Sequence, residues 1–284
     1  MRPVKILMLL TMLSVAIGVQ ASNDSTDVVR PVTSVYYVEA GGSRVADTYL
    51  SPVVYSGWHS ALGYERYQAM KQNPERLVMS LGGGLNIDRT MNGVGNATIW
   101  GAELDLAWSM YYRMRPANGV TIGVGGGPAL NAGCLYSTRN GNNPASARGA
   151  LTLNASGYVT YNFEMGRLPV TLNYSTSIPL AGAFFSPQYG ELYYEIYLGN
   201  TDGLAHFAWP GNRFRMDNRL TADLHIGSTS LRVGYRLDVF GSAVNNLTTR
   251  RLTHSFILGI SGEWLSLNTR RSRSNNTKII SALW

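Results

Sequence analysis

A single cysteine, Cys134, stands in the whole chain, so no disulfide can form within it and the small cross-linked secreted scaffolds are excluded. Charge is scarce as well, at 14% of residues. No apolar run after position 19 approaches the roughly 18 residues that cross a bilayer as a helix, which argues against residence in an inner membrane. Metal-binding signatures are missing: there is no H-E-x-x-H, no pair of cysteines and no EF-hand loop, so neither a metal nor another cofactor is expected. Nucleic acid is not an expected partner.

What is present is strand material. Aromatic residues make up 11% of the chain and glycines number 31, a composition poorly suited to helices. Between positions 151 and 164, Leu151, Leu153, Ala155, Val159, Tyr161 and Phe163 alternate with Thr152, Asn154, Ser156, Thr160, Asn162 and Glu164. That is the period of a strand with one oily and one wet face. Arg2 and Lys5, the apolar stretch 6–19 and the small-residue site Val19-Gln20-Ala21 form a secretory leader. Two-faced strands behind an export signal predict an all-β fold, a closed antiparallel transmembrane β-barrel whose oily faces meet lipid, in the outer membrane of a Gram-negative cell. The implied organisation is a signal peptide at 1–21, an N-terminal periplasmic segment at 22–47, the barrel at 48–267 and a basic tail at 268–284.

Strands are expected at 52–66, 76–88, 98–112, 120–136, 150–164, 168–179, 191–199, 219–226, 231–240 and 251–265. The count is about ten to twelve, the upper figure including short strands at 33–38 and 277–284; an even number is the rule for single-chain bacterial barrels. The loops satisfy the alternation of short inner turns and long outer loops only in part, because the long connection 138–149 falls on the periplasmic side. One hairpin can be registered. A four-residue connection 227–230 pairs Ile226 with Leu231, Leu224 with Val233, Ala222 with Tyr235 and Leu220 with Leu237, leaving Asp223, Arg232 and Arg236 together on the other face. A one-residue slip would put those charges into lipid, where an arginine costs about 2 to 4 kcal/mol at mid-depth.

The same inward parity collects Glu65, Glu103, Asp105, Glu191, Glu195 and Glu263 with Tyr193 and Tyr197. A lumen of this size is filled by side chains, which disfavours a general porin and favours a salt-bridged plug. Catalysis has little support. The strand spacing His-x-Ser that would let an imidazole reach a hydroxyl is absent, since the serines beside His59 and His254 are immediate neighbours, and no G-x-S-x-G elbow occurs. A triad drawn from distant strands stays open, as does lipid modification as an alternative activity. Glu103 and Asp105 share a face as any residues two apart on a strand do. The glycines at 82–84 and 123–127 lie in strand patterns with no helix after them, so they mark bends or close packing and not a phosphate cradle.

Removing Arg2 and Lys5 from the 24 basic residues leaves 22 against 17 acidic ones. Much of the excess, Arg270, Arg271, Arg273 and Lys278, lies in the tail, a solvated charge run that could also meet the phosphates of lipopolysaccharide. Outer-membrane lipids, lipopolysaccharide and, during biogenesis, the barrel-assembly machinery are the expected partners. A role as a subunit of an envelope complex is a further alternative, with Phe207, Trp209 and Phe214 as a partner patch or an interfacial girdle.

Two motifs remain, Asp47-Thr48-Tyr49-Leu50-Ser51-Pro52 followed by Tyr55 and Gly57, and Phe185-Ser186-Pro187-Gln188-Tyr189-Gly190 followed by Tyr193-Tyr194-Glu195. They resemble a Bacteroidota family of exported β-barrels of unknown function, over roughly 47–267. The resemblance implies an outer-membrane barrel and supplies no catalytic residue. Tyr55, Glu65, Glu191, Tyr193 and Glu195, with Asp223, Arg232 and Arg236, form the candidate binding cluster of the lumen.

Overall fold

A computed structural model describes residues 28–141, 143–227, 229–264 and 278–283. The leader, the tail arginines at 270, 271 and 273, and Trp284 lie outside these residues. Ten strands make the wall: β2 (Val32–Asp47), β3 (Ser51–Ala69), β4 (Leu77–Asn92), β5 (Thr98–Ala117), β6 (Val120–Ser137), β7 (Ala145–Met165), β8 (Leu168–Phe185), β10 (Arg213–Ile226), β11 (Thr229–Val244) and β12 (Leu247–Trp264). Each is antiparallel to the next, β12 pairs with β2, and β10 pairs with β8, so the ladder closes on itself. Closure answers the constraint that bilayer lipid imposes, since an open edge would leave backbone groups unpaired at several kcal/mol each. The short β9 (Ala205–Ala208) extends the wall along the end of β8, and β1 (Val28–Val29) lies parallel to β13 (Lys278–Ile279).

The number ten results from two offsetting differences from expectation. Residues 32–47 are a full barrel strand, which moves the start of the barrel from 48 to 32. The stretch 191–199, expected as a strand, is instead a turn and a helix, α1 (Tyr193–Tyr197). Its apolar and tyrosine spacing imitates a strand, but Glu195 accepts the backbone N–H of Leu192 at 3.0 Å and closes a helical turn. With β2 in place the loop rule holds better but not everywhere, because the inner connection 70–76 is seven residues long and the outer connection 245–246 only two. The connection 138–144 now shares the outer end with 48–50, 93–97 and 186–204, and the turns 118–119, 166–167 and 227–228 share the inner end.

Parity sets the two faces. Leu62, Leu151, Phe256, Leu258 and Ile260 stand exposed on the outside, and the facing positions turn inward. Aromatic residues gather at both rims of this apolar band. Trp58 and Trp100 meet edge to face at 6.0 Å toward the outer end, and Tyr36 lies 4.9 Å from Tyr64 toward the inner end. That is the girdle pattern of a lipid-embedded barrel.

The tail does not hang free at its end. Ile280, Ala282 and Leu283 are buried in the inner mouth, where Arg113 of β5 donates to the carbonyls of Ser281 at 2.5 Å and Ala282 at 3.0 Å. The same guanidinium donates to Glu75 and Pro74 carbonyls of the 70–76 turn. Lys278 reaches the Glu75 carboxylate at 2.5 Å and holds that exposed carboxyl below the usual carboxylate range.

Inside the wall, rings lie on glycines. A Cβ added to Gly123 would stand 2.2 Å from the Tyr158 ring, and one added to Gly63 would stand 2.1 Å from the Tyr37 ring. An aromatic laid over a cross-strand glycine fixes register by filling the space the missing side chain leaves. Gly123→Val should therefore destabilise the folded barrel by about 1 to 3 kcal/mol or more. Urea titration in detergent, read by the heat-modifiable gel shift, checks this; an unchanged midpoint would show that the ring does not lie on this glycine.

Candidate functional site

Every second residue from Arg213 to His225 of β10 points into the lumen, and most of them are charged. Arg215 grips Asp105 of β5 through two bonds of 3.0 and 2.9 Å and reaches Glu103 at 3.1 Å, across the barrel from its own strand. Its other edge holds Asp238 of β11 at 2.6 Å. Arg251 of β12 makes a fork to Glu103 at 3.0 and 2.9 Å. Arg236 forks to Asp217 at 2.9 and 3.1 Å and meets Glu39 of β2 at 3.3 Å, and Arg219 ties Asp217 to Glu65 of β3.

Like charges face each other directly at Asp217↔Asp238 and Arg219↔Arg236. The repulsion this would cost is offset on the diagonals, where Arg236 sits between Asp217 and Asp238. The result is a checkerboard that joins neighbouring strands and opposite walls. Such forked, charge-assisted bonds are the strong class of hydrogen bond, and desolvation makes them costly to leave half made.

The β10–β11 register differs from expectation by two residues. The connection is the two residues 227–228, and Asp223 stands directly opposite Arg232, with bonds of 2.7 Å from both Nε and Nη2, where Gly234 was expected. A shift of two keeps every apolar residue on the outer face, so alternation alone cannot choose between the registers. The positive φ of Gly227, +68°, permits the tight turn, and the Asp223–Arg232 fork selects it.

The expected binding cluster divides into three. Glu65, Asp223 and Arg232 meet in the lumen, where Glu65 lies 3.4 Å from Arg232, and Arg236 is linked to them through Asp217 and Arg219. Tyr55 is buried at the outer rim among Val45, Leu50, Ile99 and Leu135, its hydroxyl donating to Ser51. Glu191, Tyr193 and Glu195 lie on a turn and helix and not on a wall strand, packed against Tyr49 and Ala147 at the outer mouth. Of the charges that sequence reasoning missed, Arg215, Asp217 and Arg251 foremost, the first two carried a legible signal in the period-two run Arg213-x-Arg215-x-Asp217-x-Arg219. A strand started at 219 cut it in half.

Over the outer mouth the two motifs form one unit. Tyr49 donates to the Glu191 carbonyl at 2.8 Å, its ring meets Tyr193 edge-on at 5.8 Å, and Tyr193 stacks near Phe185 at 6.5 Å. Burial is the main cause that pushes the Tyr49 phenol up to about 12, so it remains a donor at neutral pH. Asp47 binds Arg148 at 3.0 Å and caps the Tyr49 N–H, while Glu191 accepts from the Gln188 N–H and from Asn200. Beneath this cap lies a cavity of about 50 Å³, and a second of about 170 Å³ lies deeper, against the small polar side chains of β6, β7 and β8.

Two imidazoles engage other groups inside the barrel. His59 Nδ1 lies 2.9 Å from Asp88, with Glu39 at 3.7 Å from Nε2, and the nearby Ser255 hydroxyl donates to Glu39 rather than to the imidazole. His225 Nδ1 lies 2.7 Å from Ser230 Oγ on the facing strand, a pairing that a search along one strand cannot find. Its Nε2 is 2.8 Å from the Thr171 hydroxyl, where a serine hydrolase would place an orienting carboxylate on the far ring nitrogen. Among the described residues no group of His, Cys, Asp and Glu is arranged to hold a metal ion.

A family model matches residues 5–271. The chain belongs to the family described as "Protein of unknown function (DUF3316)". No curated protein matches this DUF3316 chain. Among solved structures it is similar to the outer membrane protease OmpT from Escherichia coli, at TM-score 0.44 and 6% identity, covering 87% of this chain and 100% of that one. It is also similar to the beta domain of the Bordetella autotransporter BrkA, at TM-score 0.41 and 10% identity over 82% and 100%. The translocator domain of the autotransporter NalP from Neisseria meningitidis follows, at TM-score 0.38 and 8% identity over 92% and 96%. These scores fall below 0.5, and none of the three lends this chain an activity.

Glu103 is shared by Arg215 and Arg251, as Asp238 is at 2.6 and 3.6 Å. Glu103→Gln should therefore cost about 3 to 5 kcal/mol of unfolding free energy, the expected effect of removing one partner from a buried ion pair. Equilibrium urea unfolding in detergent measures it, and a change below about 1 kcal/mol, the size of an exposed pair, would place these groups in water.

Proposed function

We propose that this chain is an integral outer-membrane β-barrel of a Gram-negative envelope, exported through a cleaved leader, whose lumen is closed and whose capped outer mouth serves a binding or structural role. The motif resemblance supports an origin in the Bacteroidota. The observation that carries the closed lumen is the cross-barrel lattice: Arg215, Arg219 and Arg251 each span from the β10–β12 wall to carboxylates of β3 or β5. The segment 278–283 in the inner mouth supports the same reading from the other end. The apolar outer face and its aromatic rims support contact with outer-membrane lipids and lipopolysaccharide, and insertion by the barrel-assembly machinery.

Action on lipid is the runner-up. Ser230 and His225 would be its pair, but the serine is buried and faces the lumen, away from the bilayer. The test is single-channel recording of the purified chain, folded in detergent and inserted in planar bilayers. A heat-modifiable folded barrel with no steady conductance steps is expected. Steady steps would overturn the closed-lumen reading and make transport the function. Treatment with a fluorophosphonate should leave Ser230 unlabelled; stoichiometric labelling at that residue would shift the assignment to an enzyme.

A further inference from the structure

Arginines turned inward from β7, β10, β11 and β12 lie within salt-bridge distance of a carboxylate, with one exception among the described residues. The exception is Arg213. It is only 7% exposed, its Nη2 donates to the side-chain Oδ1 of Asn131 at 3.2 Å, and its Nε has no partner. The guanidinium lies 4.8 Å from the centre of the Phe240 ring and 5.8 Å from that of Phe184. Ring faces compensate a cation only in part. Arg148 and Arg251 share the Phe240 ring, and both are already neutralised, by Asp47 and Glu103.

A buried cation without a counter-charge is an expensive state, and proteins normally avoid it by pairing. Arg213 is also placed where a counter-charge from outside could reach it, since it lines both the cavity under the cap and the deeper one, together with Arg215 and Asn131. The wall beside it is interrupted. β8 pairs with β10 only up to Ser177↔Asp217 and with β9 only from Gly182↔Ala208. Residues 178–181 of β8 and 213–216 of β10 therefore have no ladder between them, and Pro179 on one side has no N–H to give.

We propose that Arg213 is the anchor of a binding site for an oxyanion, a carboxylate or phosphate group, held under the motif-built cap with Asn131 orienting the guanidinium. The free Nε–H and an Nη–H present the forked edge that such groups accept. The anion can come from solution through the outer mouth or be the headgroup of a lipid at the interrupted β8–β10 seam. The lipid source alone depends on the membrane-barrel reading.

The test uses the full mature chain, folded in detergent micelles at constant ionic strength, and titrates sodium acetate and inorganic phosphate by calorimetry. A parallel arm places the chain in nanodiscs of phosphatidylglycerol or of phosphatidylcholine and measures the retained lipid by native mass spectrometry. Saturable binding of at least one probe is expected, weakened by at least about tenfold in Arg213→Gln, as for loss of one member of a desolvated charge pair. Arg213→Met is the second variant. It keeps the stem packed between Phe184 and Phe240 and removes the unpaired charge, so it should fold and fail to bind. A response in the soluble arm alone places the source in solution, and a response in the lipid arm alone places it in the bilayer. No binding by the parent chain in either arm, or undiminished binding by a folded Arg213 variant, overturns the proposal. Steady conductance would refute the closed lumen and leave this result standing.

Discussion

Desolvated charge inside a narrow barrel is the constraint on which the rest of this structure depends. A closed wall of ten strands leaves a lumen about wide enough for side chains, so any charge turned inward must find its partner there. Here many partners come from opposite walls: Arg215, Arg219 and Arg251 reach across to β3 or β5 and set the distance between the walls, while the Arg236–Asp217 fork fixes the register of neighbouring strands. A slip of one residue at β10–β11 would expose the same arginines to lipid; a slip of two would part Asp223 from Arg232. Backbone closure satisfies the amides and carbonyls, and the lattice specifies which closure forms.

The interior is not uniform, and its asymmetry gives it shape. Charge concentrates between the β10–β12 wall and the strands from β2 to β5. Serine, threonine, asparagine and glycine face inward from β6 to β8. Small neutral side chains leave space beside the lattice, and the larger cavity is found there, bordered by Arg213 and Arg215. The outer mouth over it is built from 47–52 and 185–195, two stretches far apart in sequence that meet through Tyr49, Glu191 and Tyr193. A cap made of the two most distinctive stretches, above a lumen crossed by ion pairs, is the arrangement on which the proposed binding or structural role rests.

Much of this was legible in the amino-acid sequence because period-two alternation is direct: the strands from β3 to β8, the lipid face of 151–163 and the inward charges Glu65, Asp223, Arg232 and Arg236 all follow from it. Alternation fails where the pattern is diluted. In β2 the run Gly41-Gly42-Ser43 breaks the apolar count, so a wall strand of 16 residues reads as a short one. At 191–199 tyrosine and leucine spacing imitates a strand that capping by Glu195 converts to a helix. Alternation is blind to a register shift of two, which only turn chemistry and the Asp223–Arg232 pair resolve. It also carries no information across the lumen, so the contacts of Arg215 with β5 and of Tyr49 with Glu191 belong to closure, not to any local stretch of chain.

The most direct test of the central claim is a double-mutant cycle between the two walls, with Arg215→Gln and Asp105→Asn singly and together, in urea unfolding of the folded barrel. Residues joined by a bidentate bridge at 3.0 and 2.9 Å should show a coupling of about 0.5 to 3 kcal/mol, far from additive. Additivity within about 0.5 kcal/mol would mean that the two walls do not touch at this level. The lattice would then not be what closes the lumen.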